Sequence, residues 1–347
     1  MRSGWVLVPL IAFSIMSATS CRNTPQEGHL PAGEMLEGPY LGMKPPGRVP
    51  VIFAPGVVSS PYWEHSGAVF TPDGEELFWS VAINEGRSPR IIVILHMWQE
   101  DGHWIGPELA PFNNATYNHI NSVSPNGDRL YFFSQNEDEA SRIWVVEKSG
   151  DGWGEPRPSR LTTIDNPGSI VYEVHETRSG NLYLSGPSED IPRGRGIVRS
   201  RLVDGRYQPY ESLGQHVNSP HPARFPNHSP TVDPDERFVI FASDRPGGFG
   251  EYDLYISYRQ KDDSWGPAIN LGPEINAMGT STSWPQLSPD GKYLFFVAYS
   301  KPLADFGERA YTYEELIEVQ QNVENGWGNI YWVSTDFVGS LRPAAAE

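Results

Sequence analysis

Five short apolar runs follow five tight turns along the chain, at a nearly constant spacing of roughly 53 to 56 residues. Proline with glycine or asparagine is typical of hairpin turns, because proline fixes φ and glycine accepts a positive φ. The runs are apolar at almost every position, which indicates strands buried on both faces. The turns are Thr71–Gly74, Ser124–Gly127, Arg178–Gly180, Asp233–Glu236 and Ser288–Gly291, and the runs are Leu77–Ser80, Leu130–Ser134, Leu182–Ser185, Phe238–Ser243 and Tyr293–Phe296.

Most repeats contain two further predicted strands. A third strand such as Arg142–Val146 follows a variable loop, and a Trp-Gly strand such as Gly152–Pro156 or Ser264–Pro267 closes the unit. Four strands at a fixed period are typical of propeller blades, whereas a solenoid would call for capping repeats, and none is obvious in the sequence. We therefore predict an all-β fold, a single β-propeller of about five four-stranded blades over residues 49–340.

The fifth repeat is one strand short. After Asn329–Ser334 the sequence contains no Trp-Gly-Pro strand. Val49–Gly56 precedes the first turn much as Ala268–Gly272 precedes the last one. We predict that this N-terminal strand completes the last blade, which would pair an otherwise exposed sheet edge.

One repeat carries a specific motif. Residues Ser229–Asp235, Phe241–Gly248 and Tyr252–Tyr255 together resemble the WD40-like repeat of the TolB-type propeller family, and Ser288–Phe296 matches it again. The resemblance implies a propeller in the cell envelope. Members of this family usually serve as binding or scaffold modules, while some relatives carry enzymatic sites. The third repeat departs most from the motif, since Arg178–Gly180 replaces the Pro-Asp-Gly turn.

The first 20 residues resemble an export signal. Arg2 precedes an apolar stretch and small residues up to Ser20, and the stretch is too short to span a bilayer. Cys21, the single cysteine, follows as at a bacterial lipoprotein cleavage site, although Ala18 stands where a larger aliphatic residue is more common. We expect a signal peptide over 1–20, lipidation of Cys21 and a flexible tether over 21–48. The protein would then be a membrane-anchored lipoprotein of the bacterial cell envelope, facing the periplasm or the cell exterior.

The net charge of −17 and the pI near 4.9 argue against nucleic acid as a partner, because such binding needs a cationic surface. For the same reason we expect membrane contact through the lipid anchor only. We expect a monomer whose partner is a cell-envelope glycan or protein.

The innermost strand of a blade begins at one mouth of the central channel, so residues just before each turn converge there. Loops on the same face add arginines, and the insertion between Lys301 and Asn325 contains a predicted helix, Tyr313–Val319, that could cover the mouth. The candidate ligand-binding residues at this mouth are Trp63, Arg90, Asn121, Arg142 and Trp284.

Three interpretations of this mouth stay open. The polar residues could simply line a solvated channel. They could bind a glycan or peptide through aromatic stacking and arginine contacts, which requires no cofactor. They could also form the active site of a polysaccharide lyase or glycoside hydrolase, with histidines and glutamates as acid, base or ligands of a divalent metal. The catalytic candidates are Glu64, His65, His119, Glu173, His175 and His228, and the metal-ligand candidates among them are His119, His175 and His228.

Overall fold

The computed structural model describes residues 36–83, 90–136, 139–150, 152–159, 161, 171–191, 195–219, 227–305 and 307–343. The predicted signal peptide and Cys21 lie outside these residues. No helix within the described ranges is long and apolar enough to cross a membrane.

The described residues form five successive antiparallel β-units, which we number as blades 1 to 5, so the predicted propeller is confirmed; a single parallel contact between Ile92 and Tyr117 joins blades 1 and 2 into one ten-stranded sheet. β1 (Val51–Ile52) comes first in the chain but lies in blade 5. Blade 1 contains β2 (Trp63–Glu64), β3 (Val69–Phe70), β4 (Glu76–Ala82), β5 (Ile92–Glu100) and β6 (His103–Leu109). Blade 2 contains β7 (Tyr117–Val123), β8 (Arg129–Asn136), β9 (Glu139–Ser149), β10 (Gly152–Trp153) and β11 (Arg157–Pro158).

Blade 3 contains β12 (Val174–Glu176), β13 (Leu182–Pro187), β14 (Arg195–Ser200) and β17 (Glu211–Ser212), with a separate hairpin of β15 (Leu202–Val203) and β16 (Arg206–Tyr207). Blade 4 contains β18 (Asn227–Val232), β19 (Phe238–Ser243), β20 (Asp253–Tyr258) and β21 (Ile269–Asn270). Blade 5 contains β22 (Thr282–Leu287), β23 (Tyr293–Tyr299), β24 (Gly328–Ser334) and β1. The helices are a 3-10 turn at Pro39–Gly42, α1 (Pro273–Asn276), α2 (Tyr313–Gln321) and α3 (Phe337–Leu341).

Each predicted turn joins the first two strands of a blade. In all five, the backbone N–H of the fourth residue donates to the carbonyl three residues earlier, as from Gly74 to Thr71 at 2.8 Å. That fourth residue has a positive φ, which glycine adopts without strain in four blades. Blade 4 places Glu236 there at φ 59°. The third repeat, despite its different sequence, makes the same turn between Thr177 and Gly180.

The apolar strands are buried on both faces because every blade lies between two others. Alternate residues of one strand enter different cores: Leu294 and Phe296 pack against blade 4, whereas Phe295 and Val297 pack against blade 1. The described residues include a hydrophobic cluster between each pair of adjacent blades, including blades 5 and 1. These cores close the ring.

The predicted closing strand is confirmed. β1 pairs antiparallel with β24, with Val51 opposite Trp332 and Ile52 opposite Tyr331. The N–H of the next residue, Phe53, donates to the Ile330 carbonyl at 2.8 Å, and the Phe53 ring is fully buried in the core between blades 5 and 1. The fourth strand of the last blade therefore comes from the beginning of the domain.

The packed region begins N-terminal of residue 49. The side chain of Leu41 is 1% exposed, and the Tyr40 ring contacts Phe70 and Tyr293 edge-on at 5.3 and 5.2 Å. The backbone N–H of Trp104 donates to the Leu36 carbonyl at 2.8 Å. Residues 36–48, which the sequence assigns to the tether, thus pack on blades 1 and 5, so any tether ends before Leu36.

In three blades, an asparagine that follows the outermost strand hydrogen-bonds through its side-chain amide to the backbone of the third strand. These bonds hold the connection to the next blade against its own blade. The amide of Asn276 accepts from the Leu254 N–H at 2.8 Å and donates to the Leu254 carbonyl at 3.0 Å. Asn113 and Asn218 make the same pair of bonds to Ile94 and Ile197. In blade 5 the hydroxyl of Ser59, just after β1, donates to the Ile330 carbonyl and accepts from the Ile330 N–H. Ser59 therefore takes the place of the asparagine in this blade.

Candidate functional site

A cavity of about 470 Å³ opens at one mouth of the central channel, and all five blades contribute to its wall. Most lining residues belong to, or directly precede, the innermost and second strands. The lining residues are Trp63, His65, Arg90, Tyr117, His119, Phe133, Tyr172, Glu173, Ser185, Arg195, His228, Glu251, Tyr252, Thr280, Ser281, Ser283, Trp284 and Tyr299. The predicted convergence of Trp63, His65, Arg90, His119, Glu173, His228 and Trp284 is therefore observed.

Irregular innermost strands shape this wall. In β7, β18 and β22 the pairing register shifts midway, between Ile120 and Ser122, between His228 and Thr231, and between Ser283 and Gln286. Trp284 lies in one shift at φ 51°, a left-handed conformation that is unfavourable for a bulky side chain. Bulges of this kind redirect side chains and are frequent next to functional sites.

Aromatic rings cover the side of the cavity formed by blades 5, 1 and 2. The His65 ring lies 4.6 Å from Trp284, 4.7 Å from Trp63 and 5.2 Å from His119, measured between ring centroids. The Trp63 indole N–H donates to the Tyr299 hydroxyl at 3.0 Å. Gly67 permits this packing, because a Cβ there would lie 2.6 Å from the Trp284 carbonyl oxygen. This wall offers flat apolar surfaces with few polar atoms.

Blades 2 and 3 form a more polar side. The Arg195 guanidinium carbon lies 3.2 Å from the Tyr172 ring centroid, and the Tyr172 ring stacks on Phe133 at 4.8 Å. Glu173 follows Tyr172, and its Oε1 accepts a long hydrogen bond of 3.5 Å from the Ser229 hydroxyl. On the opposite side, the Arg90 guanidinium lies 4.9 Å from the Trp63 ring centroid. Two arginines thus stack on aromatic rings at this mouth.

Burial sets the protonation of the titratable groups in the cavity. It lowers the pKa of His119 and of His228 to about 4, and it holds the pKa of His65 well below its usual range, with His119 and Arg90 acting in the same direction. Burial raises the pKa of Glu173 to about 7, although the Ser185 hydroxyl, Arg195 and Ser229 oppose the shift. The histidines are therefore neutral near pH 7, where Glu173 is about half protonated.

Several buried polar atoms of the lining residues make no well-formed hydrogen bond within the protein. They are Nδ1 of His65, Nε2 of His119, Oε2 of Glu173 and Oγ of Ser185, although the Ser185 hydroxyl interacts with the Glu173 carboxyl and the His119 ring with the His65 backbone. The Asn121 amide nitrogen lies 3.2 Å from Nδ1 of His119; because that amide can only donate, Nδ1 accepts and Nε2 carries the proton. Unsatisfied buried polar groups are costly and rare in native proteins. Their grouping around one cavity leaves hydrogen-bonding capacity directed toward its interior.

Glu64, a predicted catalytic candidate, does not line the cavity. Its carboxylate is fully buried and accepts from the Ser60 N–H at 3.0 Å, from the Ser60 hydroxyl at 2.6 Å and from the Asn329 amide at 2.8 Å. Burial raises the pKa of Glu64 to about 8. Adjacent residues of a strand point to opposite faces, so His65 faces the channel while Glu64 ties blade 1 to blade 5.

Three other candidates also lie outside the cavity wall. His175, two residues after Glu173, lines a separate cavity of about 110 Å³ together with Gln286 and residues of the repeat turns. Asn121 supports His119 from behind, and its own carbonyl accepts from Gln286 at 2.9 Å. The Arg142 guanidinium lies 6.0 Å from the Trp144 ring. Because His175 is apart from His119 and His228, the predicted metal-ligand set does not form.

Within the described parts of the chain, no three histidine, cysteine, aspartate or glutamate side chains come together in a way that could hold a metal ion. The neutral histidines of the cavity lie against aromatic rings instead of carboxylates.

The sequence prediction missed several lining residues on second strands. Phe133 lies directly opposite His119 in the β7–β8 pair, and the Ser185 N–H donates to the Glu173 carbonyl at 3.1 Å. Residues opposite each other in antiparallel strands share a face. Counting residues from the hairpin turn would have identified Ser185, whereas the bulge between Ile120 and Ser122 shifts the register on which the position of Phe133 depends.

The predicted helix in the blade 5 insertion forms as α2 (Tyr313–Gln321). Thr312 and Glu315 cap it reciprocally, and none of its residues is buried or lines the cavity. After the helix, the Trp327 ring stacks on Trp63 at 6.0 Å with an interplanar angle of 17°. The insertion therefore reaches the aromatic wall through Trp327.

Several solved structures are similar to this fold. A putative TolB from Agrobacterium tumefaciens aligns at 22% identity over 69% of this chain and 71% of that chain, with a TM-score of 0.43. TolB from Acinetobacter baumannii aligns at 15% identity over 70% of this chain, with a TM-score of 0.43, and the alignment spans only 50% of that longer chain. An alpha-L-arabinofuranosidase from Podospora anserina, in complex with cellotriose, aligns at 11% identity over 84% of this chain and 97% of that chain, with a TM-score of 0.46. No family model and no curated protein matches the chain.

Proposed function

We propose that this protein is a lipoprotein of the bacterial cell envelope whose propeller binds a small ligand, a glycan, in the cavity at the channel mouth. The proposed location rests on the apolar N-terminal stretch followed by Cys21. The proposed binding rests on one observation: a cavity with an aromatic wall is surrounded by four buried polar atoms that make no well-formed hydrogen bond within the protein.

Sugars match this arrangement chemically. Their hydroxyl groups both donate and accept, which suits the N–H of His119, the carboxyl of Glu173 and the hydroxyl of Ser185. The apolar face of a sugar ring packs on flat aromatic surfaces such as Trp63 and Trp284. A volume of about 470 Å³ lies within the usual range of small-molecule sites, about 300 to 1,000 Å³.

Binding can be measured by calorimetry and by intrinsic tryptophan fluorescence, with a panel of neutral and acidic envelope oligosaccharides. We expect a saturable signal that is at least tenfold weaker in Trp284→Ala and in His119→Ala. Trp98→Ala, which removes a half-buried tryptophan away from the cavity, is the matched control. Absence of binding across the panel, or equal affinity in all variants, would refute the proposed site.

The second candidate function is glycan cleavage at the same mouth. It is favoured by Glu173, because a carboxyl with a pKa of about 7 can act as a general acid or base near neutral pH. Hydrolysis commonly requires a second carboxyl group, and Glu251 is the other one among the described lining residues. Release of reducing ends or unsaturated products, lost in Glu173→Gln while binding persists, would establish an enzyme; no turnover on any bound glycan would leave a binding protein.

A further inference from the structure

The charges at the channel mouth differ from those of the whole chain. The chain has a formal net charge of −17, yet the cavity wall contains two arginines, Arg90 on the blade 1 side and Arg195 on the blade 3 side. Both are half-buried, and each guanidinium lies over an aromatic ring of the wall. We infer that the glycan bound in this cavity carries a carboxylate, which Arg90 and Arg195 bind. This inference rests on the proposed function and names the chemical class of its ligand.

The influence of both arginines extends over the cavity. Arg90 contributes to the lowered pKa of His65, and Arg195 contributes to the lowered pKa of His228. The histidines are neutral, so the positive charge of the wall belongs to the two arginines alone. An anion placed between blades 1 and 3 would meet positive potential from two sides.

The negative charge of the wall does not cancel this potential where the wall is buried. Among the described lining residues only Glu173 has a buried carboxyl oxygen, and its raised pKa of about 7 leaves it partly protonated near neutral pH. Glu251 is exposed and lies toward solvent. A ligand carboxylate could therefore enter without facing two ionised buried carboxylates.

A guanidinium can pair with a carboxylate or a phosphate, so the rest of the described wall decides between them in favour of a carboxylate. A guanidinium stacked on a ring presents its N–H groups at its edges, which match the two oxygens of a carboxylate. Phosphate sites commonly use a helix N-terminus or a nest of backbone N–H groups. No described lining residue is a lysine or belongs to a helix.

The experiment compares ligands that differ in charge alone. Di- and trisaccharides of galacturonate and glucuronate, and their methyl esters, are titrated into the full-length protein by calorimetry. We expect the acid to bind about 10- to 100-fold more tightly than its ester, which is the size of a charge-assisted hydrogen bond. Added salt should weaken binding of the acid and leave the ester unaffected.

Variants of the two arginines test whether these residues cause the tighter binding of the acid. Arg90→Gln and Arg195→Gln should each weaken binding of the acid about 10-fold or more and leave the ester unchanged. Arg195→Lys, which keeps the charge, should recover part of the affinity. Arg142→Gln, an arginine of the same face that does not line the cavity, is the control. Unchanged thermal unfolding checks that each variant is folded.

The outcomes separate the two proposals. Equal binding of acid and ester, with both arginine variants unaffected, would overturn the carboxylate inference while leaving a glycan site. Tighter binding of a sugar phosphate than of the matching uronate would also overturn it. If no glycan of either kind binds, the proposed function itself is wrong.

Discussion

Phe53 offers a sharp test of how far the ring depends on its N-terminal strand. Its side chain is 0% exposed, with ring centroids 5.0 Å from Phe295, 5.3 Å from Trp332 and 6.1 Å from Phe70. Phe53→Ala removes the ring that joins β1 to the core between blades 5 and 1. Truncation of a buried phenylalanine costs about 3 to 5 kcal/mol, and the three aromatic contacts favour the upper half of that range.

The expected change in the unfolding midpoint follows from the size of the domain. At the usual entropy per residue, unfolding a domain of this size changes entropy by about 0.6 kcal/mol per degree. A loss of about 4 to 5 kcal/mol should then lower the midpoint by about 6 to 8 °C. Differential scanning calorimetry measures both the midpoint and whether a single transition persists.

Phe249→Ala is the matched control, because Phe249 is 50% exposed and the same atoms are removed. We expect that variant to stay within about 0.5 kcal/mol of the parent protein. Deletion of residues 49–56 removes β1 and Phe53 together and should abolish cooperative unfolding. A Phe53→Ala midpoint indistinguishable from that of Phe249→Ala would refute the claim that β1 is an integral strand of blade 5.

Three further predictions follow from individual side chains. Asn276→Ala leaves the buried N–H of Leu254 without a partner, while the Leu254 carbonyl still accepts from the Leu271 N–H, so the variant should lower the free energy of unfolding by about 1 to 3 kcal/mol in denaturant titration. Asn322→Ala, at an exposed position, should be neutral. Glu64→Ala leaves hydrogen-bond donors of Ser60 and Asn329 unsatisfied, so it should lower the free energy of unfolding by about 1 to 3 kcal/mol. The variant should keep its ligand affinity. Loss of affinity in folded protein would show that Glu64 belongs to the site. Glu173 holds its proton up to about pH 7 in the folded state but releases it near pH 4.5 in the unfolded state. Its contribution to stability is therefore complete below pH 4.5 and is lost as the pH rises through 7. Between pH 5 and 8, the free energy of unfolding measured with denaturant should fall in the parent protein. This fall should be smaller by up to about 3 kcal/mol in Glu173→Gln and unchanged in Glu251→Gln. An equal fall in the parent and both variants would contradict the raised pKa of Glu173.

The sequence predicts the ring well because its signals are local and repeated. Each turn and apolar run occupies fewer than about ten residues, and the strand missing from the fifth repeat reveals where Val49–Gly56 belongs. The hydrogen bonds of Asn113, Asn218 and Asn276 to the third strands were not predicted, because they join residues 19 to 22 positions apart and no turn or strand motif marks them. Residues 36–48 carry no repeat signal, and Leu41 and Tyr40 pack only because blades 5 and 1 create a surface for them.

The candidate site is only partly predictable from the sequence. The sheet face on which a side chain lies, and its depth in the channel, both depend on strand register. His65 and Glu64 are neighbours in sequence, yet a strand turns only one of them toward the channel. Glu173 and His175 share a face but lie at different depths, so they line different cavities. The bulges near Ile120, His228 and Ser283 add register shifts that the turn motifs do not predict. Arg195, which we infer to bind the ligand, differs from Arg142 in its blade and in the ring beneath it.

The pairing of β1 with β24 also has a consequence for biosynthesis. Val51 is made early, and its partner Trp332 follows about 280 residues later. At about 5 to 20 residues per second, the first strand waits roughly 15 to 60 seconds for the strand it pairs with. Blades 1 to 4 can assemble in order during that interval, but the ring cannot close until β24 has been made. Until then Phe53 is exposed without its aromatic partners Phe295 and Trp332, so the nascent chain presents an apolar segment that a chaperone could hold.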